Sequence, residues 1–473
     1  MENKKFNFKE NTAQALLDSR LRKNLKFAMG AMIQKRRAVF SNAQELEKLR
    51  VLGNSIRRRA LSKLPELLEK LENKCTENGI IVHWAETTNQ ACEIVLEIMQ
   101  KHKADKLVKG KSMVSEEMHL NKFLEQHGIE AIETDLGEFI IQLAGETPSH
   151  IIVPAIHKNK DEISKLFHEK IPGTPYTEEV EELNAIARKT LRKMFYEGHV
   201  GLSGVNMAAA ETGTLCLVEN EGNGRMCTTV PPVHIAVMGL EKVVEKLEDI
   251  PPLIRLLTGS ATGQLITTYV NMITSPRKAG EKDGPKEIHL VILDNGRSKI
   301  LADPQLRQTL QCIRCGTCLN HCPVYTRIGG HAYGFVYPGP IGKILTPQME
   351  GLEKAGAMTT ASSLCNACEE VCPVKIPIPE LIRRLRNESY DLNGTVQGHG
   401  YKKHFMETAA WKAWELVNRI PALNAASTKM AGLFGHMLPK AGPLKEWTHT
   451  RTKPVFAQKS LHETVKEQGV AHE

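Results

Sequence analysis

Hydrophobic residues recur at helical spacing through the first 75 residues of the chain. Leu21, Leu25, Met29 and Met32 follow one another at intervals of three or four residues, as on one face of a helix. The pattern predicts a basic, helical N-terminal region over residues 1–75. The same spacing continues further along this region, at Leu61, Leu64, Leu67, Leu68 and Leu71.

From about residue 78 short apolar runs of strand length alternate with helical stretches. Strands that alternate with helices of about 10–15 residues are typical of a parallel sheet built from strand–helix–strand units. The sequence therefore predicts such a sheet after the N-terminal helices. The predicted strands are 79–84, 106–108, 129–132 and 151–153, and the predicted helices are 90–103, 115–127 and 137–143.

A β-rich stretch follows a helix predicted over residues 178–196. The apolar runs 213–218 and 226–230 flank residues 220–224, where an Asn-Gly pair predicts a β-hairpin. Residues 76–297 are therefore expected to form one α/β domain. Its remaining predicted elements are strands at 233–238, 266–273 and 287–293, a helix over 240–257, and a polar, hairpin-like loop over 274–286.

The chain changes character again near residue 298. A cysteine-bearing module rich in Gly and Pro is predicted over 298–390, and a helical extension with Trp411, Trp414 and Val417 on one side over 391–473. No run approaches the roughly 18 apolar residues of a membrane span. No apolar run follows the first lysines either, so no secretory signal is expected and a cytoplasmic location is predicted.

Positive charge is concentrated at the N-terminal end. The chain carries a net charge of +8, and residues 1–60 hold 15 Lys and Arg against 5 Asp and Glu. Solvated helix faces, an acidic partner subunit, and peripheral contact with an acidic membrane surface all fit this pattern. Nucleic acid is not expected as a partner, because no recognisable binding module accompanies the charge.

The cysteines are clustered. Seven of the 11 lie within the 61 residues from Cys312 to Cys372. In a chain without a secretion signal, such a cluster indicates metal binding rather than disulfides. The cysteines outside the cluster are Cys75, Cys92, Cys216 and Cys227.

The first cysteine group comprises Cys312, Cys315, Cys318 and Cys322, followed by Pro323. Its spacing, C-x2-C-x2-C-x3-C-P, is that of bacterial ferredoxins, which bind [4Fe–4S] clusters. In that pattern the first three thiolates surround one cluster and the fourth binds the other. Zinc is the alternative, since paired C-x2-C motifs also form zinc ribbons. Four cysteines at this spacing with a trailing proline favour iron–sulfur.

The second group, residues 362–373, repeats this spacing with serine at position 362, where the pattern has cysteine. One cluster is therefore left without a fourth thiolate. Four explanations stay open: Ser362 binds as an alkoxide, a water or small ligand fills the place, a partner lends a residue, or the cluster is [3Fe–4S]. The exchange of ligands between the groups assigns Cys312, Cys315, Cys318 and Cys372 to one cluster, and Cys322, Cys365 and Cys368 to the other.

Other residues have both a functional and an ordinary structural interpretation. Cys216 and Cys227 flank the predicted hairpin and could supply the missing ligand, although such cysteines are more often buried apolar side chains. His321 and His331 could tune the cluster potentials through hydrogen bonds, and His234 is more simply explained as hydrogen-bonded. Near the predicted hairpin, either a small-anion pocket or turn formation explains Glu211, Thr214, Glu219, Asn220, Glu221 and Arg225.

Several segments resemble the lactate-utilisation iron–sulfur protein B family. They are the cysteine segments 312–325 and 362–376, the Gly- and Pro-rich segment 329–342, and residues 210–225 followed by 231–234. The resemblance covers nearly the whole chain and includes the serine at position 362. It implies an iron–sulfur electron-transfer subunit of a three-protein complex that oxidises L-lactate to pyruvate and allows growth on lactate.

The resemblance also implies a fold and partners. The α/β domain is expected to be similar to sugar-isomerase and CoA-transferase-like folds. The expected partners are a cysteine-rich heterodisulfide-reductase-like subunit and a second α/β subunit, with the final electron acceptor unspecified.

The sequence motifs indicate that this chain does not catalyse the oxidation of a hydroxy acid alone. It has no Gly-x-Gly-x-x-Gly turn for a dinucleotide and no phosphate-binding P-loop. Oxidation of a hydroxy acid usually needs a cofactor that accepts two electrons, whereas each iron–sulfur cluster accepts one. The oxidising site is therefore expected on, or shared with, a partner. The alternatives are the same role in another 2-hydroxy-acid or glycerol-3-phosphate dehydrogenase, and a cluster-based redox sensor.

Overall fold

The computed structural model describes residues 7–389, 405–437, 445, 448 and 452–469. The described residues up to 389 form one compact unit, and those from 405 onwards belong to a second. Among all of these residues, no helix is both long enough and apolar enough to cross a membrane.

Four helices form the N-terminal region, as the spacing of its apolar residues predicts. Short polar side chains fix where three of them begin, because each accepts hydrogen bonds from N–H groups of the first turn. Asp18, for example, accepts from the N–H of Leu21, and Asn42 accepts from those of Gln44 and Glu45. The four helices are α1 (Phe8–Leu17), α2 (Ser19–Val39), α3 (Ala43–Ser62) and α4 (Leu64–Glu77).

The next region contains ten strands in two sheets. The larger sheet has six strands, all parallel, in the order β1-β10-β7-β4-β2-β3, which confirms the predicted parallel sheet. The smaller one has the order β8-β5-β6-β9. In chain order the strands are β1 (Ile81–Ala85), β2 (Lys106–Lys109), β3 (Glu130–Glu133), β4 (Val200–Gly204), β5 (Met207–Ala209), β6 (Thr214–Glu219), β7 (Val233–Gly239), β8 (Val243–Val244), β9 (Tyr269–Ile273) and β10 (Glu287–Leu293).

Both faces of the six-stranded sheet are buried, so its central strands read as continuous apolar runs. Ile235 and Val237 of β7 pack on one face, and Ala236 and Met238 pack on the opposite face. The second face belongs to a core that continues through the N-terminal helices, the smaller sheet and the cysteine-bearing segment. The helices of this region are α5 (Thr88–Lys101), α6 (Met113–Glu117), α7 (Leu120–Gln126), α8 (Leu136–Ala144), α9 (Lys160–Lys170), α10 (Val180–Glu197), α11 (Asn223–Cys227) and α12 (Ile250–Ala261).

The cysteine-bearing segment is built from short helices and loops. It contributes no strand to either sheet within residues 297–389. Its helices are α13 (Arg297–Ala302), α14 (Thr317–Asn320), α15 (Tyr325–Ile328), α16 (Gly339–Glu350), α17 (Leu352–Ala355), α18 (Ala367–Glu370) and α19 (Ile378–Ser389).

The predicted hairpin around residues 220–224 is wrong. The chain enters helix α11 there, because the Glu219 carboxylate accepts hydrogen bonds from the N–H groups of Gly224 (2.9 Å) and Arg225 (2.7 Å). Strand β6 pairs with β5 and β9 instead.

The strand predicted at 151–153 is wrong as well. These residues form a loop in which the backbone N–H groups of Ile152 and Val153 both donate to Nδ1 of His150. The same imidazole contacts Oδ1 of Asn320 through Nε2, at 3.1 Å. Because the two N–H groups are bonded within the loop, they are not available to a neighbouring strand.

Three further elements differ from the prediction. The helix predicted over 115–127 is interrupted at His119, whose φ is 51°. The helix predicted over 240–257 begins only at Ile250, since proline in the first turn permits a helix to start but not to extend backwards. The loop 274–286 is not a hairpin, because β9 and β10 lie in different sheets. Strands β4, β5 and β8 and helix α9 were not predicted.

In the second unit the described helices are α20 (Phe405–Arg419), α21 (Pro421–Phe434) and a last helix, Leu461–Gln468. The rings of Trp411 and Trp414 meet edge to face at 5.9 Å. The remainder of the extension predicted over 391–473 lies outside the described residues.

Candidate functional site

The two cysteine groups fold into two loops with the same backbone conformation. In the first loop Arg314 and Gly316 have φ angles of 61° and 72°, and in the second Leu364 and Asn366 have φ angles of 54° and 62°. Each loop leads into a one-turn helix, α14 or α18. When residues with right-handed and left-handed backbone conformations alternate along a loop, their backbone N–H groups point towards a common centre. Such a centre favours the binding of an anionic group. The segment therefore contains the same loop twice.

The cysteines surround two separate small cavities. Each cavity takes cysteines from both groups, in the division that the ferredoxin spacing predicts. Ligation itself stays a prediction. One cavity is lined by Cys312, Cys315, Cys318 and Cys372, and the other by Cys322, Cys365 and Cys368 together with Ser362 and Lys343.

Ser362 occupies the position in its loop that Cys312 occupies in the first. The hydroxyl of Ser362 accepts a hydrogen bond from the N–H of Leu364 (3.2 Å), and the sulfur of Cys312 accepts one from the N–H of Arg314 (3.4 Å). Both acceptors are bonded to the residue two positions on, which in each case has a left-handed backbone. The serine oxygen thus stands where the repeated loop places a ligand atom.

The thiols differ in their electrostatic surroundings. Burial raises the pKa of Cys372 to about 11 and that of Cys368 to about 12. The exposed Cys365 is the contrary case, since a hydrogen bond from Ser363 lowers its pKa. A buried thiol with a raised pKa ionises only when a cation stabilises the thiolate. Bound iron would supply that charge.

The surroundings of these sulfurs suit an iron–sulfur cluster. Sγ of Cys372 lies 3.4 Å from the backbone N of Ile376, and Sγ of Cys322 lies 3.5 Å from that of Tyr325. Nζ of Lys343 is 3.6 Å from the same Cys322 sulfur. Soft thiolates that receive backbone N–H groups are the donor set that iron–sulfur clusters use. The residues present therefore fit such clusters.

Helices α2 and α3 hold the cysteine loops through their basic side chains. Arg36 donates to the carbonyl of Val371 (3.3 Å), and Arg50 donates to that of Cys372 (2.9 Å). The buried Arg57 donates to the carbonyls of Gln311 and Leu310, next to Cys312. Part of the N-terminal positive charge thus serves the interior of the protein. In the sequence, the clustering of arginines on predicted helices was a signal for such contacts. The sequence did not show which groups accept their hydrogen bonds.

A buried ionic network joins the α/β region to the first cysteine loop. The Arg297 guanidinium pairs with Glu241 at 2.6 Å and with both carboxylate oxygens of Glu117 at 2.8 Å. Arg314 donates to Glu241 at 3.1 Å and lies 5.0 Å from the centre of the Tyr337 ring. Burial alone would raise the pKa of Glu241, but Arg297 and Arg314 outweigh it and lower that pKa to about 2. Sequence reasoning did not find this network.

The other candidates from the sequence are dispersed. Cys216 and Cys227 are fully buried, with pKa values raised to about 12 by burial, and they line neither cysteine cavity. His234 is also buried and meets the Ser203 hydroxyl at 2.8 Å. His321 and His331 contact the carbonyls of Thr317 (2.9 Å) and Thr147 (2.7 Å). Of the residues near the predicted hairpin, Glu219, Asn220 and Glu221 line a crevice, whereas Glu211, Thr214 and Arg225 do not.

Three protein families match this chain. The LUD domain matches residues 68–293, the 4Fe-4S dicluster domain matches residues 308–376, and the family "Lactate utilisation protein B, C-terminal" matches residues 384–470. The dicluster match covers both cysteine loops and the segment between them.

Curated relatives match over almost the full length. Lactate utilization protein B of Bacillus licheniformis is 41% identical over 455 residues, which cover 94% of each chain. The protein of the same name in Bacillus subtilis is 39% identical over 485 residues, covering 98% of each chain. An uncharacterized electron transport protein of Escherichia coli, YkgF, is 40% identical over 456 residues and 94% of each chain. The chain belongs to the lactate utilization protein B family, as its sequence motifs predicted.

Proposed function

We propose that this chain is the iron–sulfur electron-transfer subunit of an assembly that oxidises L-lactate to pyruvate. The observation that carries the proposal is the pair of neighbouring cavities lined by seven cysteines. The names of the relatives and of the C-terminal family supply the link to lactate. Clusters held in this way accept and pass on single electrons, which is the chemistry that a dehydrogenase partner needs.

The proposed cofactors are two [4Fe–4S] clusters. Cys312, Cys315, Cys318 and Cys372 are the proposed ligands of the first, which would lie inside the protein because three of these four side chains are buried. Cys322, Cys365 and Cys368 are the proposed ligands of the second. Since Cys365 is exposed, the second cavity opens towards the surface. Electrons would enter or leave the chain on this side.

Ser362 is the proposed fourth ligand of the second cluster. Three of the explanations that the sequence left open need a water, a partner residue or a missing iron at this place. Ser362 needs none of them, because its oxygen already lies in the second cavity at the position that Cys312 holds in the first loop. An oxygen ligand on one iron would distinguish the two clusters spectroscopically.

Replacing Ser362 with alanine is expected to release one iron and convert the second cluster to [3Fe–4S]. The iron content should fall by about one atom per chain, and an EPR signal should appear in the oxidised protein. The substitution Ser362→Cys should keep the iron and remove the spectroscopic difference between the clusters. Thr360→Ala, which removes an exposed hydroxyl two residues before Ser362 and outside the cavity lining, is the control and should keep all of the iron. Unchanged iron and spectra in Ser362→Ala would exclude serine ligation.

The proposed partners are the other members of a three-protein assembly, a cysteine-rich heterodisulfide-reductase-like subunit and a second α/β subunit. A partner is needed because lactate gives up two electrons together and each cluster accepts one. We place the assembly in the cytoplasm, since none of the 11 cysteines forms a disulfide, as is usual in a reducing compartment.

The finer domain description is also a proposal. It comprises a basic helical region (1–75), an α/β domain like those of sugar isomerases and CoA transferases (76–297), a two-cluster module (298–390) and a helical extension (391–473). The N-terminal helices and the two-cluster module share one continuous hydrophobic core. This shared core supports the view that the two-cluster module needs the N-terminal helices in order to fold.

The test of the proposed function is reduction of the clusters by substrate. The full chain, purified without oxygen and mixed with its two proposed partners, should show the EPR signals of reduced clusters after addition of L-lactate. Glycolate and glycerol 3-phosphate serve as comparison substrates. Reduction by glycerol 3-phosphate and not by lactate would assign the chain to another dehydrogenase. Bound zinc without iron would exclude electron transfer altogether.

A further inference from the structure

A crevice of about 290 Å³ lies where four parallel strands of the larger sheet end. Its lining includes residues that follow the carboxyl ends of β2, β3, β4 and β7: Lys111, Asp135, Asn206 and Lys242. In open α/β sheets the carboxyl ends of the strands form the usual place for a ligand. A volume near the lower end of the range for ligand sites suits a small molecule.

The cysteine-bearing segment closes one wall of this crevice. Arg314 and Tyr337 belong to that segment and line the crevice together with residues of the α/β region. Arg314 stands in the loop between Cys312 and Cys315. A molecule in the crevice would therefore lie beside the loop proposed to hold the first cluster.

The acidic groups in the lining already have partners. Glu241 pairs with Arg297 and Arg314. The Glu219 carboxylate accepts two backbone N–H groups at the start of α11, and Asp135 accepts the N–H of Glu138 at the start of α8. These three carboxylates are occupied in holding the fold, so the groups that receive an anion must be found elsewhere in the lining.

Those groups are buried cations. Nη1 of Arg314 is buried without a hydrogen-bond partner, in a side chain only 7% exposed. A buried guanidinium donor without an acceptor is costly, and a bound anion removes the cost. Lys242 lines the same crevice and is 8% exposed. Burial, and then the nearby Arg314, lower the pKa of Lys242 to about 8, although Glu241 acts in the opposite direction.

The charge balance favours an anion with a single charge. The lining holds three cations, Lys111, Lys242 and Arg314, and four carboxylates, Asp135, Glu219, Glu221 and Glu241, so a doubly charged phosphate would meet more repulsion than a singly charged carboxylate. Glu221 accepts the N–H of Leu136 with Oε2, which leaves Oε1 to accept from a hydroxyl group next to the carboxylate. Short acids that carry such a group are 2-hydroxy acids, whose oxidation products are 2-oxo acids.

We propose that this crevice binds a small monocarboxylate of the 2-hydroxy-acid or 2-oxo-acid class, with Arg314 and Lys242 as the groups that receive the carboxylate. The inference rests on the proposed function for its substrate class and adds a location on this chain. The assembly would then hold its acid next to the first cluster, and the α/β region would contribute to the binding of substrate or product.

The test measures ligand binding by calorimetry, without oxygen, on the full chain with its iron–sulfur clusters loaded. The probes are L-lactate, pyruvate, glycerol 3-phosphate and inorganic phosphate. Lactate or pyruvate should bind, and Lys242→Gln should weaken that binding by about tenfold or more, because a charged hydrogen bond is lost. Lys246→Gln is the matched control, since Lys246 lies four residues on, outside the crevice lining, with a side chain 50% exposed. The affinity of the Lys246→Gln variant for lactate or pyruvate should stay within about twofold of that of the parent chain.

Hydrogen exchange of the unsubstituted chain gives a second measurement that does not depend on a variant. Lactate or pyruvate should protect residues 110–114, 204–206 and 241–242, which line the crevice. Binding of phosphate compounds alone would overturn the ligand class. Protection confined to other segments, or no binding by a chain with its full iron content, would overturn the site and leave the electron-transfer proposal standing. A chain that cannot hold iron would instead contradict the proposed function.

Discussion

Replacing Cys372 with alanine is expected to lower the iron content of the chain from about eight atoms to about four or fewer. Cys372 belongs to the second cysteine group in sequence, but it lines the cavity of the first group. Its loss should therefore remove the inner cluster, although Cys312, Cys315 and Cys318 are intact. The melting temperature should also fall, since the side chain is only 5% exposed and lies in the main core. Iron analysis and thermal melting without oxygen provide the measurements.

Two other cysteine variants separate ligation from packing. Cys216→Ala removes a fully buried thiol that lines neither cavity, so it should keep all of the iron. Cys365→Ala removes an exposed thiol, so it should empty the outer cavity with little effect on the core. If Cys372→Ala kept its inner cluster and lost the outer one, the exchange of ligands between the two loops would be wrong.

The substitution Glu241→Gln is expected to reduce the free energy of unfolding by about 3–5 kcal/mol. Glu241 is fully buried and pairs with Arg297 at 2.6 Å and with Arg314 at 3.1 Å. Glutamine has nearly the same shape but no charge, so both guanidinium groups would lose a counter-charge inside the protein. A loss of this size follows from the charge left unpaired rather than from the strength of the original pair. Urea denaturation without oxygen measures it.

Glu248→Gln provides the control for that loss. Glu248 pairs with Lys246 at 3.0 Å, but its side chain is 74% exposed. Exposed ion pairs contribute about 0–1 kcal/mol, so this variant should unfold almost like the parent. Equal effects of the two substitutions would mean that the buried network does not connect the α/β region to the first cysteine loop in the way the distances indicate.

The sequence was sufficient where local patterns determine structure. The cysteine spacing predicted which of the seven cysteines line each cavity, because the ferredoxin pattern encodes loop geometry directly, while their ligation of iron stays a prediction. Strands β7 and β10 of the larger sheet were also predictable, since burial on both faces leaves continuous apolar runs at residues 233–238 and 287–293, whereas the central strand β4 was not predicted. The likeness to the family was confirmed by relatives that match nearly the whole chain.

Local patterns were insufficient where distant residues decide. The Asn-Gly pair near residue 223 suggested a turn, but the Glu219 carboxylate starts a helix there, and β6 finds its partners elsewhere. The apolar residues 151–153 form a loop because His150 takes up their N–H groups. Arg57 looked like a surface charge and is 2% exposed, since carbonyls beside the cysteine loop accept its hydrogen bonds. No window of sequence contains both members of such contacts.

The hydrogen bonds between the N-terminal helices and the cysteine loops also constrain the order in which parts of the chain can fold during synthesis. Arg50 and Cys372, which are joined by a hydrogen bond, are 322 residues apart. At a synthesis rate of roughly 5–20 residues per second, helix α3 waits on the order of tens of seconds for its acceptor to leave the ribosome. During that interval α3 can pack on earlier elements such as α12 but not on the second cysteine loop, and the ordering cost of closing so large a loop is still to be met. Closure of the N-terminal helices over the loops, and delivery of iron to both cavities, must therefore follow synthesis of the second cysteine loop.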